Sequence, residues 1–230
     1  MAASRWLLVG VVLLAGALAF GDEKAPPSEK EIKSLIDQLV SPNPKPITGD
    51  EDERVAPEYR LPEGFDQRKQ RAVHDARSRL KEIGPPAFPY LVECWSDKRY
   101  CLTTSHGLYG YCQNESVGEI CEAIILDQLQ PYSYWPAGYD DPRGHPHRPS
   151  YPSTFLASAE TAKKWCDWNK HQSLYVLQLG ILDWVIAAES ERPGDFTDEE
   201  RAELQKIRRE LTASGKPLLR GNYNLTDIEQ

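Results

Sequence analysis

Leu174-Tyr-Val-Leu-Gln-Leu-Gly-Ile-Leu-Asp-Trp-Val-Ile-Ala-Ala188 is apolar on almost every side when wound as a helix. Only Gln178 and Asp183 interrupt it, and at 100° per residue they point to different faces. A surface helix keeps one polar face; this segment keeps none, which predicts a buried central helix from about Ser173 to Glu189. Its 15 residues fall short of the roughly 20 that a bilayer span needs, so the expectation is the core of an all-α domain. Asp183, if buried as a carboxylate, requires a base or several hydrogen-bond donors beside it.

Capped, one-sided helices surround this hub in the sequence. Thr197 with Glu200 forms a capping box that opens a final helix, in which Leu204, Ile207 and Leu211 share a face and Gly215 with Pro217 ends it. Ser158 caps a preceding helix with Ala162, Trp165 and Cys166 inward, broken at Asn169-Lys-His171. Ser116 with Glu119 supplies another box, followed by Val117, Ile120, Cys121, Ile124 and Ile125 at helical spacing and closed by Pro131. Residues 99–112 show no 3.6 period and read as a loop or a small hairpin. Residues 132–153 hold five prolines and two glycines, which forbid regular structure.

In the first half, Ser28 and Glu31 mark a helix with Ile32, Leu35, Ile36, Leu39 and Val40 on one stripe. A long surface loop, residues 41–65, follows, with five prolines and the acidic run Asp50-Glu-Asp-Glu53. From Asp66 to Ile83 a basic helix aligns Ala72, Ala76, Leu80 and Ile83, stopped by Gly84 and Pro85-Pro86. A shorter helix restarts within Pro86-Ala-Phe-Pro89 and buries Phe88, Leu91, Val92 and Trp95.

The unit Ala76-Arg-Ser-Arg-Leu80-Lys-Glu-Ile83-Gly84-Pro-Pro-Ala87-Phe-Pro89-Tyr-Leu91-Val-Glu-Cys-Trp-Ser-Asp97 resembles a HEAT repeat junction: a helix ending in Ile-Gly, a proline-marked turn and an apolar helix closing near Asp. The resemblance implies a short, degenerate HEAT/armadillo-like helical stack. Such stacks usually need three or more units, and three copies are not present here.

The chain has 230 residues with 40% hydrophobic and 27% charged content, the composition of a folded protein with substantial loops. Net charge is -8, which disfavours a phosphate-backbone partner and sets nucleic acid aside. Residues 1–19 combine Arg5, an apolar run from Trp6 and the small-x-small Ala17-Leu-Ala19, as in a secretory signal peptide. The expected layout is therefore a signal peptide over 1–19, a tether over 20–27, one α-helical domain over 28–217 and a loosely held tail over 218–230. An exported chain, periplasmic or extracellular, with no membrane span after leader removal, is the corresponding expectation.

Export places Cys94, Cys101, Cys112, Cys121 and Cys166 where disulfides persist. Their spacings match no zinc pattern. Cys101 and Cys112 flank one irregular segment, so a clasp between them is expected, although connectivity cannot be read from sequence.

The aromatic, proline-rich loop over 132–153 concentrates the candidate chemistry. Asp140, Asp141, His145 and His147 have the side chains of a divalent-metal site, while turn formation explains the same residues without an ion. Tyr132, Tyr134, Trp135 and Tyr139 offer flat faces to a sugar ring or peptide, or else cover the core. No Gly-x-Ser-x-Gly, His-Glu-x-x-His or phosphate-cradling glycine loop occurs, no catalytic residue is assigned and no cofactor is implied. Asn114-Glu-Ser116 and Asn224-Leu-Thr226 match the N-glycosylation acceptor pattern. The leading expectation is a non-enzymatic interaction or scaffold protein with an unknown protein or glycan partner; the alternative is a metal-dependent or glycan-directed hydrolase using the loop 132–153.

Overall fold

The computed structural model describes residues 27–47, 60–106, 111–130, 154–191, 196–219 and 225–227. Among them are seven α-helices: α1 (Glu29–Asp37), α2 (Gln67–Ile83), α3 (Phe88–Glu93), α4 (Val117–Leu129), α5 (Ala159–Asn169), α6 (Leu174–Glu191) and α7 (Asp198–Ser214). Three strands, β1 (Tyr100–His106), β2 (Tyr111–Ser116) and β3 (Leu225–Asp227), form an antiparallel sheet in the order β2-β1-β3. The architecture is mainly α. The all-α expectation holds as a mainly helical fold, to which this small sheet is added; its hairpin occupies the segment that lacked a helical period.

The local signals work as their chemistry dictates. Ser116, Ser158 and Thr197 each accept from the backbone N–H three residues on, with Glu119, Thr161 and Glu200 reaching back to close reciprocal boxes. At α1 only half the box forms: the Ser28 hydroxyl accepts from Glu31 N–H, while the Glu31 carboxylate lies 3.7 Å from Arg79. Helix α2 is capped by Asp66 and buries Val73, Ala76 and Leu80 with Gln70 and Arg77, so Ala72 stays outside. Gly84 takes φ 70° and ψ -139°, a combination that only glycine adopts readily. It turns the chain into a 3-10 turn, Pro85–Ala87, and then α3.

Helix α4 is the centre of the molecule. It contacts α2, α3, α6 and both hairpin strands, and buries Val117, Gly118, Ile120, Cys121, Ile124, Ile125, Gln128 and Leu129. A single hydrophobic core gathers around it, from Ile32 of α1 to Leu211 of α7.

Helix α6 is not the enclosed hub that its composition predicts. It buries Leu177, Gln178, Ile181, Leu182, Val185 and Glu189 against α4 and α7, while Val176, Gly180, Asp183 and Ala187 form an exposed stripe. Asp183 lies on that stripe and pairs with Arg208 Nε of α7 at 2.5 Å. The buried polar anchor is Gln178: its Nε2 donates to the carbonyls of Gln128 (2.6 Å) and Leu218 (3.0 Å), and its Oε1 accepts from Leu218 N–H at 2.9 Å. At the far end of α6, buried Glu189 receives Arg201 Nη1 at 2.6 Å, which fixes α7 to α6. Beyond α7, Gln178 grips Leu218, and residues 225–227 pair with β1. Among the described residues, no helix is long and apolar enough to cross a membrane.

Candidate functional site

A small polar cleft opens where the hairpin runs into α4. About 230 Å³ in volume, it is lined by Lys45, Lys98, Tyr100, Asn114, Glu115, Ser116 and Glu119. Its walls come from three parts of the chain, and each is fixed by hydrogen bonds.

The loop carrying Lys45 is tied to α2 and β1 through Gln70. The Gln70 side chain donates to Cys101 O at 2.9 Å and accepts from Ser41 Oγ (2.7 Å) and Asn43 Nδ2 (3.1 Å). An isolated bridge between Ile47 and Arg60 then draws the two described ends of the loop together. On the hairpin, Thr103 Oγ1 donates to Asn114 Oδ1 at 2.8 Å. A hydroxyl has one proton to give, so the Tyr100 hydroxyl donates to Thr103 Oγ1, at 2.9 Å. Asn114 Nδ2 continues the chain to Pro46 O at 2.9 Å. The amide nitrogen of the first glycosylation motif is thus engaged inside the fold and half-buried. Asn224, in the second motif, lies outside the described residues.

Two carboxyl groups in the cleft have opposite electrostatics. Glu115 is 9% exposed; burial pushes its carboxyl above the ordinary range, against the hydrogen bond from Thr104 Oγ1 and the distant charge of Arg77, with Glu119 adding repulsion. Glu119 is also disfavoured by burial, yet the Ser116 N–H and hydroxyl, each at 2.7 Å, with Lys98 and Lys45 nearby, bring it below the ordinary value. One carboxyl raised and its neighbour lowered is the electrostatic pattern of an acid–base pair. Here, however, the Glu119 carboxylate is held by the capping box, so its first role is to start α4. The arrangement is suited to holding a small polar group between two lysines and hydroxyl-bearing walls.

The residues expected to carry chemistry are distributed differently. Tyr132, Tyr134, Trp135, Tyr139, Asp140, Asp141, His145 and His147 all lie outside the described residues, as does the acidic run 50–53. Cys101 and Cys112 are brought into the same hairpin but not together: Cys112 stands opposite Ser105, four residues along β1 from Cys101, and neither is in a disulfide. At about 3.3 Å of rise per residue that offset exceeds the reach of a disulfide, which corrects the expected clasp. Cys166 is buried and its thiol is pushed up to about 12 by that burial, the behaviour of an inert core residue. Among the described residues, no group of three or more His, Cys, Asp or Glu is placed to hold a metal ion.

Tyr100, Thr103, Thr104, Asn114 and Glu115 were not legible as a site. The available signal was the adjacent β-branched Thr103-Thr104, a strand preference. Compared with known proteins, the chain matches no family model, no curated protein and no solved structure.

Proposed function

We propose that the chain is an exported, non-enzymatic interaction or scaffold protein, built on a short degenerate helical stack of the HEAT/armadillo kind. The α2–Gly84–proline–α3 junction supports the stack, because it places a helix end, a turn and a helix start at the offsets of such a repeat. The observation that carries the interaction reading is Trp168. It projects from α5 at 79% exposure, on a helix that is anchored by buried Ala162, Trp165 and Cys166. A large indole on a rigid, anchored helix is the side chain most enriched at interaction hot spots. Nearby in sequence, Val176 of α6 is also exposed, at 44%.

The test is site-specific photo-crosslinking of the full chain in its native extracytoplasmic fraction, with the reactive residue at position 168 or, as control, at exposed position 206 of α7. A discrete adduct at 168 that is absent at 206 supports the reading; equal labelling at both positions, or none at 168, overturns it. Trp168→Ala is expected to leave the melting temperature unchanged, since surface substitutions fall within about 0.5 kcal/mol.

A hydrolase remains the second reading, and Glu115 is what favours it, as a buried carboxyl held toward its protonated form beside ionised Glu119. Turnover of cell-wall glycans by the full chain, abolished by Glu115→Gln, would place this reading first.

A further inference from the structure

We propose that Cys94 and Cys121 form the native disulfide of this protein, fastening the end of α3 to the middle of α4. Helix α3 packs directly against α4, and the two thiols perturb each other's ionisation. The backbone explains why. Cys94 is the C-terminal cap of α3, and the residues after it lie directly on the start of α4: Gly118 N–H donates to Asp97 O at 2.9 Å and Val117 N–H to Arg99 O at 2.9 Å. A Cβ on Gly118 would stand 2.3 Å from Trp95 O, so the helix and the chain at residue 95 touch without a side chain between them. Cys121 is three residues from Gly118, on the same side of α4, which brings it over Cys94. No comparable approach exists for Cys101 and Cys112, four positions apart on the hairpin.

The chemistry is a thiol–disulfide exchange with a disulfide oxidant, such as an oxidised oxidoreductase or glutathione disulfide. Cys94 is the partly exposed thiol and Cys121 the buried one. The Cys121 S–H stabilises the Cys94 thiolate, which draws the Cys94 thiol down to about 7 against its partial burial and the Asp97 and Glu93 charges. That thiolate attacks one oxidant sulfur, breaks the S–S bond and releases the other sulfur as a thiolate. Cys121, held well above the ordinary thiol range by its bond to Cys94 and by burial, then gives up its proton and attacks Cys94 Sγ. The second oxidant thiolate leaves. The protein loses two protons and two electrons, and the oxidant gains both as two thiols.

The full chain, exposed to glutathione disulfide, alkylated without reduction and cut with trypsin and Glu-C, gives a decisive map. Cys94 falls in the fragment Cys94–Lys98, Cys121 in Ile120–Glu122, and Cys101 with Cys112 in Tyr100–Glu115. The expected product is the first two fragments joined, two hydrogens lighter than their sum. Separately alkylated or glutathionylated fragments, or a link from either one to Tyr100–Glu115, would overturn the proposal. Reduction should then lower the melting temperature of the wild-type chain by about 10 °C, as expected for a cross-link of this span, and leave that of Cys94→Ser/Cys121→Ser unmoved. An equal shift in both would exclude this bond as the cause. The fragment map decides even if the double variant does not fold.

Discussion

Helices α4 and α6 are both rich in aliphatic residues, and their positions are the reverse of what their sequences suggest. The run in α6 is the more uniformly apolar, yet it keeps an exposed stripe of Val176, Gly180, Asp183 and Ala187. Helix α4 carries Glu119, Glu122 and Asp127, yet five elements pack around it. What distinguishes them is how closely neighbours approach. Gly118 lets the backbone at Trp95 and Asp97 lie against α4, and β2 enters α4 with no intervening residue. Its charged groups are used at its margins: Glu119 caps the helix, and Asp127 accepts from Lys81 of α2 at 3.0 Å. Burial thus follows packing geometry and connection as well as apolar content.

The contrast is sharpest in truncation. Ile124 of α4 is fully buried and Val176 of α6 is 44% exposed. Ile124→Ala is expected to cost about 4 kcal/mol, from lost transfer energy and the cavity left behind, whereas Val176→Ala stays within about 0.5 kcal/mol. Chemical denaturation of the two variants measures this. Comparable losses would mean that α6 is enclosed after all.

The same substitution at two glycines should have opposite signs. At Gly118 a Cβ meets backbone atoms at 2.3, 2.8 and 3.0 Å, so Gly118→Ala must move α4 away from residues 95–97 and costs about 3 kcal/mol. At Gly180 nothing lies within 4 Å, and Gly180→Ala in mid-helix should stabilise by about 0.8 kcal/mol through backbone entropy. Thermal melts of both variants check the pair, and a destabilised Gly180→Ala would break the comparison.

Next in size are the polar groups of α6. Gln178→Met leaves Gln128 O and the Leu218 backbone without their buried partner, a loss of about 2 kcal/mol. Asp183→Asn weakens only a pair open to water on both sides, worth at most about 0.5 kcal/mol. Denaturation midpoints distinguish them.

This inversion marks where the sequence stopped being informative. Helical periods and caps were readable because they depend on residues three or four apart: Ser116, Ser158 and Thr197 sit where their hydroxyls reach the next turn. Gln178 and Asp183 were both visible as interruptions, but which of them meets the core depends on where α4 and α7 lie, a tertiary fact. The hairpin was legible only as one of two alternatives, a loop or a small hairpin, because Thr103 with Asn114 and Thr104 with Gln113 pair across the turn rather than along the chain. The cleft was not legible, because its members Lys45, Lys98 and Glu115 share no local pattern. The cysteines failed for a related reason: flanking one segment suggested that Cys101 and Cys112 meet, whereas strand register holds them apart and helix packing brings Cys94 to Cys121.

The smallest effect separates a carboxyl drawn into the packed region from one left in solvent. Glu115 lies at the buried entry to α4 and Asp183 on the open stripe of α6. Because burial raises the Glu115 carboxyl above its ordinary value of 4.5, the folded chain binds this proton more tightly than the unfolded chain. Its stabilising contribution is therefore complete below the unfolded value and is lost as pH rises through the folded one. Glu115→Gln keeps an oxygen to accept from Thr104 Oγ1 and removes the charge. The variant should melt slightly higher than the wild type at pH 7, and the gap should close as pH falls below 4.5. Melting curves across that range read the sign directly. A gap that is constant with pH would mean that shape, rather than the ionisation of a buried carboxyl, sets the difference.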